Sequence, residues 1–218
     1  MSYPPAPWKL QGYAIASFAS LHLLNIDRVR HLIPSELEII SAWPGKTFSG
    51  VYLSYYGSGS VLEYSELIVI PALVGYRGTI GGWVSHIYVD NPDSVAGGRE
   101  IWGLPKELAE FTWENDQRVT VRQNHKLLCS LSYKQPWFAW QQWLGGSGFS
   151  KKNSDLLSYI FEAESNLGFV GSQLEVPPES PFSGIGLGQP LLTVRCDRLS
   201  LRVRAPEVMR QGTVEVAV

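Results

Sequence analysis

Between Phe111 and Tyr133 the chain carries three successive segments, FTWEN, RVTVRQ and KLLCSLSY, that alternate apolar and polar side chains and are parted by Asn115-Asp116 and by Asn124. Period-two alternation between turn residues places every second side chain on one face, which a helix cannot do. The pattern predicts an antiparallel meander and pulls the whole chain towards a strand-rich architecture. The same reading takes GYAIASFASLHLL, TFSGVYLSYYGSGS, EYSELIVIPALVGY, GGWVSHIYVDNPDS and LLTVRCDRLSLRVRA as strands, the last long or bent. Asp27 is placed to cap a short helix through Val29 and Leu32, and Asp93 or Ser94 to cap SVAGGREIW, which Gly103 would end. SDLLSYIFEAES is read as a further helix, and GGSGFSKKN, Gly145 to Asn153, as an exposed loop. The expected fold is therefore mainly β with a few short α-helices, a barrel or sandwich and not a doubly wound sheet. The 218 residues suffice for one core, so a single domain over 1–218 is expected.

Eighteen basic against 20 acidic side chains leave a formal charge of -2, which gives no basic footprint for nucleic acid or an anionic membrane. LIVIPALV is far too short to span a bilayer, and MSYPPAPWKL has prolines where a signal peptide needs an apolar run. Cys129 and Cys196 are far apart in strand-like surroundings, which argues against a disulfide framework or zinc site and for a reducing cytoplasm. Eight Trp, ten Tyr and eight Phe suit an apolar pocket, a subunit interface or simply a large aromatic core. In QPWFAWQQW, Trp137, Trp140 and Trp143 recur at spacing three, as a helical stripe would, either exposed to a partner chain or buried.

His22, His31, His86 and His125 show no metal-binding spacing, and there is no GxSxG elbow. The glycines of SGIGLGQP lack a third phosphate-loop glycine and read as a loop. A catalytic reading rests by elimination on Lys, Glu and Tyr. GGREIWGLPKELAEF presents Lys106 directly after a proline, and two readings stand: a nucleophile, or a solvated lysine beside a glutamate. An amine attacks a ketone only when unprotonated, and a free lysine of pKa ~10.4 is almost wholly charged at neutral pH. Desolvation among apolar walls, here Ile101, Trp102 and Leu104, favours the neutral amine.

HIYVDNPDSVAGGREIWGLPKELAEF, together with HLIPSELEI and EYSE, resembles the acetoacetate decarboxylase family over residues 10–135. The resemblance implies an antiparallel sheet curled into a cone-shaped barrel, a homo-oligomer, a Schiff-base lysine at Lys106 and an active-site glutamate at Glu66. It implies no metal or organic cofactor. Tyr64 and Trp102 are candidates for the pocket, and Arg99 with Glu100 for an ion pair near it. Three positions depart from the family's decarboxylases, which have a second lysine where this chain has Glu107, an arginine at Ile15 and a second glutamate at Val51. A pocket with these substitutions would be more apolar and suit a bulkier or less charged carbonyl compound. APWKLQGYA, YSELIVIPALV and GLPKELAEF also resemble plant proteins of the neoxanthin-deficient type. Two functions are therefore expected in competition: a lysine Schiff-base lyase acting on a β-keto or 2-keto acid, decarboxylase-like or of aldol or dehydration type, and a non-catalytic barrel for an apolar ligand linked to xanthophyll metabolism.

Overall fold

A computed structural model describes residues 3–18, 24–115, 117–190 and 192–211. In chain order the strands are β1 (Trp8–Phe18), β2 (Leu24–Asn25), β3 (Glu38–Ile39), β4 (Lys46–Thr47), β5 (Gly50–Tyr56), β6 (Tyr64–Ile70), β7 (Ala72–Tyr76), β8 (Thr79–Trp83) and β9 (His86–Val89). They continue with β10 (Lys106–Leu108), β11 (Glu110–Glu114), β12 (Arg118–Gln123), β13 (Lys126–Tyr133), β14 (Trp140–Lys152), β15 (Asp155–Val170), β16 (Ser172–Glu175), β17 (Leu192–Val203) and β18 (Glu207–Arg210). Helix α1 is Ile26–Val29 and α2 is Pro92–Trp102. No helix among the described residues is long and apolar enough to cross a membrane. His22 lies outside the described residues.

A large sheet runs β10-β9-β6-β5-β1-β17-β15-β14-β8-β7-β3, with β18 added at β15. Its ladders are antiparallel except β10 on β9 and β8 on β14. Among the described residues no ladder joins β10 to β3, so the sheet is open and the expected closed barrel is not formed. The edges explain this: β3 has two residues and β10 three, after which Ala109 donates to Val89 O and the chain leaves for a second sheet, β11-β12-β13-β16. That second sheet contains the predicted meander, its β12–β13 turn made by Asn124 and His125, both at positive φ as a type I′ hairpin requires.

Two readings of the C-terminal half are overturned. GGSGFSKKN is not a loop but the end of β14, and SDLLSYIFEAES is not a helix but the start of the 16-residue β15; the two pair from Trp140↔Leu167 to Lys152↔Asp155. Glycine makes this ladder possible, because a Cβ on Gly148 would stand 2.4 Å from Tyr159 Cζ and one on Gly146 2.7 Å from Phe161 Cζ. The rings lie over bare backbone, and that burial is invisible to helix periodicity. Nor do the three tryptophans form a helical stripe: Trp140 opens β14, while Trp137 and Trp143 are exposed. The single apolar run EYSELIVIPALVGY becomes two strands because Pro71 has no N–H for the ladder. The helix caps also shift, to Asn25 for α1 and Asn91 for α2, with Pro92 in the first turn.

Alternation along the ladders separates two cores. Ile15, Val51, Leu53, Leu67, Val69 and Tyr88 share one cluster with Val119, Val121 and Leu131 of the second sheet. Trp8, Tyr56, Tyr64, Ile87, Val89, Trp102 and Leu104 share the other, which lies on the opposite side chains of β5, β6 and β9. Cys129 and Cys196 are buried free thiols, one in each cluster, and burial pushes Cys129 up to about 12 and Cys196 to about 11.

Candidate active site around Lys106

Asn91 caps α2 by accepting from the backbone N–H groups of Asp93 and Ser94, and Gly103, at φ +62°, ends it. Gly103 N–H donates to Arg99 O and Leu104 N–H to Gly98 O, so the chain reverses at once and brings Lys106 back beneath the helix. Arg99 Nε holds this return by donating to Lys106 O at 2.7 Å. The register then sets the face. Lys106 pairs with Ile87 on β9, and Glu66 pairs with Val89 two residues further along the same strand. Two residues is one full side-chain period, so Lys106 and Glu66 emerge on the same side of the sheet with β9 between them.

There Lys106 Nζ donates to Glu66 Oε1 at 2.7 Å and to Ser94 Oγ at 3.0 Å. Lys106 is 3% exposed and Glu66 5%. The ammonium also lies 4.9 Å from the centre of the Tyr64 ring and 5.5 Å from that of Trp8. Trp8 is wedged between Tyr64 and Trp102, at 6.4 and 4.9 Å between ring centres. Small residues in α2 make room for this packing: a Cβ on Gly98 would be 2.4 Å from Lys106 Cδ, and one on Gly97 2.5 Å from the Trp8 ring. A buried ion pair of this kind survives desolvation only where both charges are hydrogen-bonded, as here.

On the far side of the carboxylate, Tyr56 OH donates to Glu66 Oε2 at 3.4 Å, and Tyr52 OH lies 3.1 Å from Tyr56 OH. Burial holds the phenols of Tyr52, Tyr56, Tyr64 and Tyr159 above their ordinary range, and the Glu66 charge adds to the rise at each. Clefts of about 520 Å³, lined by Arg118, Ser130 and Gln189, and about 720 Å³, lined by Tyr13, Tyr55 and Asp197, lie elsewhere and include neither Lys106 nor Glu66.

Of the predicted site residues, the structure brings together Lys106, Glu66 and Tyr64, with Trp102 one ring behind. Glu107 faces away, exposed, and accepts from Gln123 Nε2 at 2.9 Å. Arg99 contacts the backbone of Lys106 and does not pair with Glu100, whose carboxylate instead meets Lys152 Nζ at 3.3 Å. Ile15 and Val51 lie in the other core, with side chains on the opposite face of β1 and β5 from Lys106, so neither lines its surroundings. Sequence reasoning missed Trp8, Tyr52, Tyr56 and Gly98, and considered Ser94 only as a cap. A hairpin register for β5 and β6 would have found the tyrosines, since Tyr52, Ser54 and Tyr56 recur with period two opposite Ile68, Glu66 and Tyr64.

A lysine–glutamate pair under a capped helix on a β-rich fold defines a class of protein, and comparison with known proteins identifies it. The family model described as acetoacetate decarboxylase (ADC) matches residues 2–139, and the chain belongs to that family. It is 24% identical to the tomato (Solanum lycopersicum) Protein NEOXANTHIN-DEFICIENT 1 over 94% of this chain and 93% of that protein. It is 32% identical to acetoacetate decarboxylase 3 of Mesorhizobium japonicum, over 59% of this chain and 48% of the relative, so that match spans about half of the decarboxylase. The crystal structure of acetoacetate decarboxylase from Legionella pneumophila superposes with a TM-score of 0.73 at 16% identity, covering 96% of this chain and 90% of that one, and shares the fold.

Proposed function

We propose that Lys106 forms a Schiff base with a carbonyl substrate and that the protein is a carbon–carbon lyase of this family. The observation that carries this reading is the 2.7 Å contact between the buried Lys106 Nζ and Glu66 Oε1. Transfer of one proton along that bond leaves a neutral amine beside a neutral carboxylic acid. The amine nitrogen attacks the carbonyl carbon, the carbonyl oxygen takes up the proton that the nitrogen releases, and the carbinolamine loses water as Glu66 gives its one proton to the departing hydroxyl and returns to carboxylate. The resulting iminium withdraws the electron pair released when an adjacent C–C or C–H bond breaks. Ser94 Oγ, 3.0 Å from Nζ, holds the nitrogen in place through these changes. The lysine chemistry needs no metal or organic cofactor.

The surroundings favour a carbonyl compound with an apolar tail. Trp8 and Tyr64 wall the amine with Trp102 packed behind Trp8, and Arg99 spends its Nε on a backbone carbonyl. A β-keto or 2-keto acid with an apolar tail fits these walls better than acetoacetate. Because Lys106 is 3% exposed, the substrate reaches Nζ only when part of this cover moves.

The full-length likeness to the tomato protein favours a second reading, a binding protein for an apolar ligand that uses the same aromatic walls. Borohydride reduction in the presence of acetoacetate, pyruvate, acetylacetone and longer keto compounds separates the two. An adduct mapped to Lys106 and absent from Lys106→Ala supports the lyase. No adduct with any of them, together with thermal stabilisation of Lys106→Ala by a carotenoid, establishes the binding protein instead.

A further inference from the structure

SGIGLGQP, the loop that the Lys106 site does not use, forms one wall of the cleft of about 520 Å³ on the second sheet. The fold holds this wall at three points. Gln189 closes on the edge of β16, its Nε2 donating to Leu174 O at 2.8 Å and its Oε1 accepting from Leu174 N–H at 3.3 Å. Arg28 Nε donates to Gly184 O at 2.7 Å, and Phe182, Ile185 and Leu187 are buried in the core. Gly186 and Gly188, at φ +75° and +60°, turn the backbone along the cleft and carry no side chain to fill it.

The floor follows from strand alternation. Val119, Leu131 and Leu174 form one cross-strand row in the core, so the flanking rows, Arg118–Ser132–Gln173 and Thr120–Ser130–Glu175, lie on the opposite face. Arg118 makes no ion pair with Glu114, its direct neighbour on β11; its Nε donates instead to Ser130 Oγ at 3.0 Å. Ser130 is buried and stands directly opposite Glu175 on β16. The guanidinium and the Glu175 carboxylate thus flank one hydroxyl within about one strand spacing, ~4.8 Å. Both side chains are exposed, and neither belongs to an ion pair among the described residues. Opposite charges left unpaired in one cleft are complementary to a molecule that carries both.

We infer that this cleft is a second ligand site, and that it binds a free α-amino acid with an apolar side chain. Such a molecule is a zwitterion at neutral pH. Its carboxylate lies on the terminal Nη fork of Arg118, which the Nε bond to Ser130 leaves free and whose planar geometry matches a carboxylate. The Ser130 oxygen accepts from Arg118, so its hydrogen remains to donate to the same carboxylate. The ammonium faces Glu175, and the side chain lies towards Val176 and Leu187, which line the cleft beside it. The site shares no residue with the Lys106 pair and involves no covalent step, so it stands independently of the Schiff-base reading.

The test titrates the nitrogen-15-labelled full chain with L-valine and L-leucine, and with two halves of valine: isovalerate, which lacks the ammonium, and isobutylamine, which lacks the carboxylate. None of the four has a ketone or aldehyde for Lys106 to condense with. The expected result is a saturable shift of the backbone amides of Ser130, Gly186 and Gly188 with the amino acids, and binding of either half at least about tenfold weaker. Arg118→Gln and Glu175→Gln are each expected to weaken L-valine at least about tenfold, the loss of one charge-assisted contact, while melting at the wild-type temperature. No saturable shift with either amino acid up to tens of millimolar overturns the inference. So does binding of isovalerate or isobutylamine as tight as that of L-valine, or L-valine binding that both variants retain.

Discussion

Glu66 and Lys106, 40 residues apart in the chain, meet at 2.7 Å because each pairs with β9 two positions from the other. Both charges are buried, so neither has water to fall back on. Removing one partner leaves an uncompensated charge in the core. Glu66→Gln is expected to lower the unfolding free energy by about 3–5 kcal/mol. The double replacement Lys106→Met with Glu66→Leu removes both charges and is expected to recover most of that loss. Urea unfolding of Lys106→Met, Glu66→Leu and the double gives the coupling directly, and additive losses would show that the two side chains do not interact.

Gly98 leaves the room that the nucleophile occupies. A methyl group there would enter the space of Lys106 Cδ and Cε, at 2.4 and 2.7 Å, while its own backbone is helical and gains about 1 kcal/mol of propensity from alanine. The lysine has to move off Glu66 to make room. Gly98→Ala is expected to lower the unfolding free energy by about 2–4 kcal/mol, the loss of the buried ion pair less the helical gain, while cutting borohydride-trapped adduct at least about tenfold, the cost of misplacing a reacting group. Equal adduct in variant and wild type would show that the lysine tolerates displacement.

Gly103 is required for a different reason. Its φ of +62° is costly for any residue with a Cβ, and that Cβ would stand 2.7 Å from the backbone oxygen of Lys151. Gly103→Ala is expected to lose at least about 1–2 kcal/mol, from the left-handed conformation alone, and to lower Tm. Because the turn at Gly103 aims Lys106 under α2, adduct formation falls with it.

The tyrosines make an alkaline prediction. Burial first, and the neighbouring charges second, hold Tyr56 and Tyr64 well above the ordinary phenol value of 10.0. An unfolded chain releases those protons near pH 10, while the native chain keeps them. The unfolded state therefore binds fewer protons than the native state above pH 10, and stability falls as pH rises through that range. Phenolate absorbance is expected to show Tyr56 and Tyr64 ionising only with loss of the near-ultraviolet circular dichroism. Ionisation of all ten tyrosines in a single early step, with the native spectrum intact, would contradict the burial described here.

Much of the architecture was legible in local sequence. The meander from Phe111 to Tyr133 could be read because period two and turn asparagines agree with its tertiary pairing. The helix ending at Gly103 could be read because its stop signal is local. SDLLSYIFEAES was misread because a 16-residue strand lying over the bare backbone of Gly146 and Gly148 takes its stability from a partner strand, not from its own periodicity.

By itself the sequence determined that this is a β-rich chain, that its lysine follows a proline just after a helix, and that its motifs are those of the acetoacetate decarboxylase family. Only the tertiary structure decided which residues keep that lysine company. A β-strand turns successive side chains to opposite faces, so a family correspondence one position out of phase changes sides completely. Ile15 and Val51, proposed for the site by correspondence, lie in the other core, while Tyr52, Ser54 and Tyr56 share the face of Glu66. Glu107, adjacent to the nucleophile in sequence, points away from it for the same reason, and Trp8, almost a hundred residues distant, covers it.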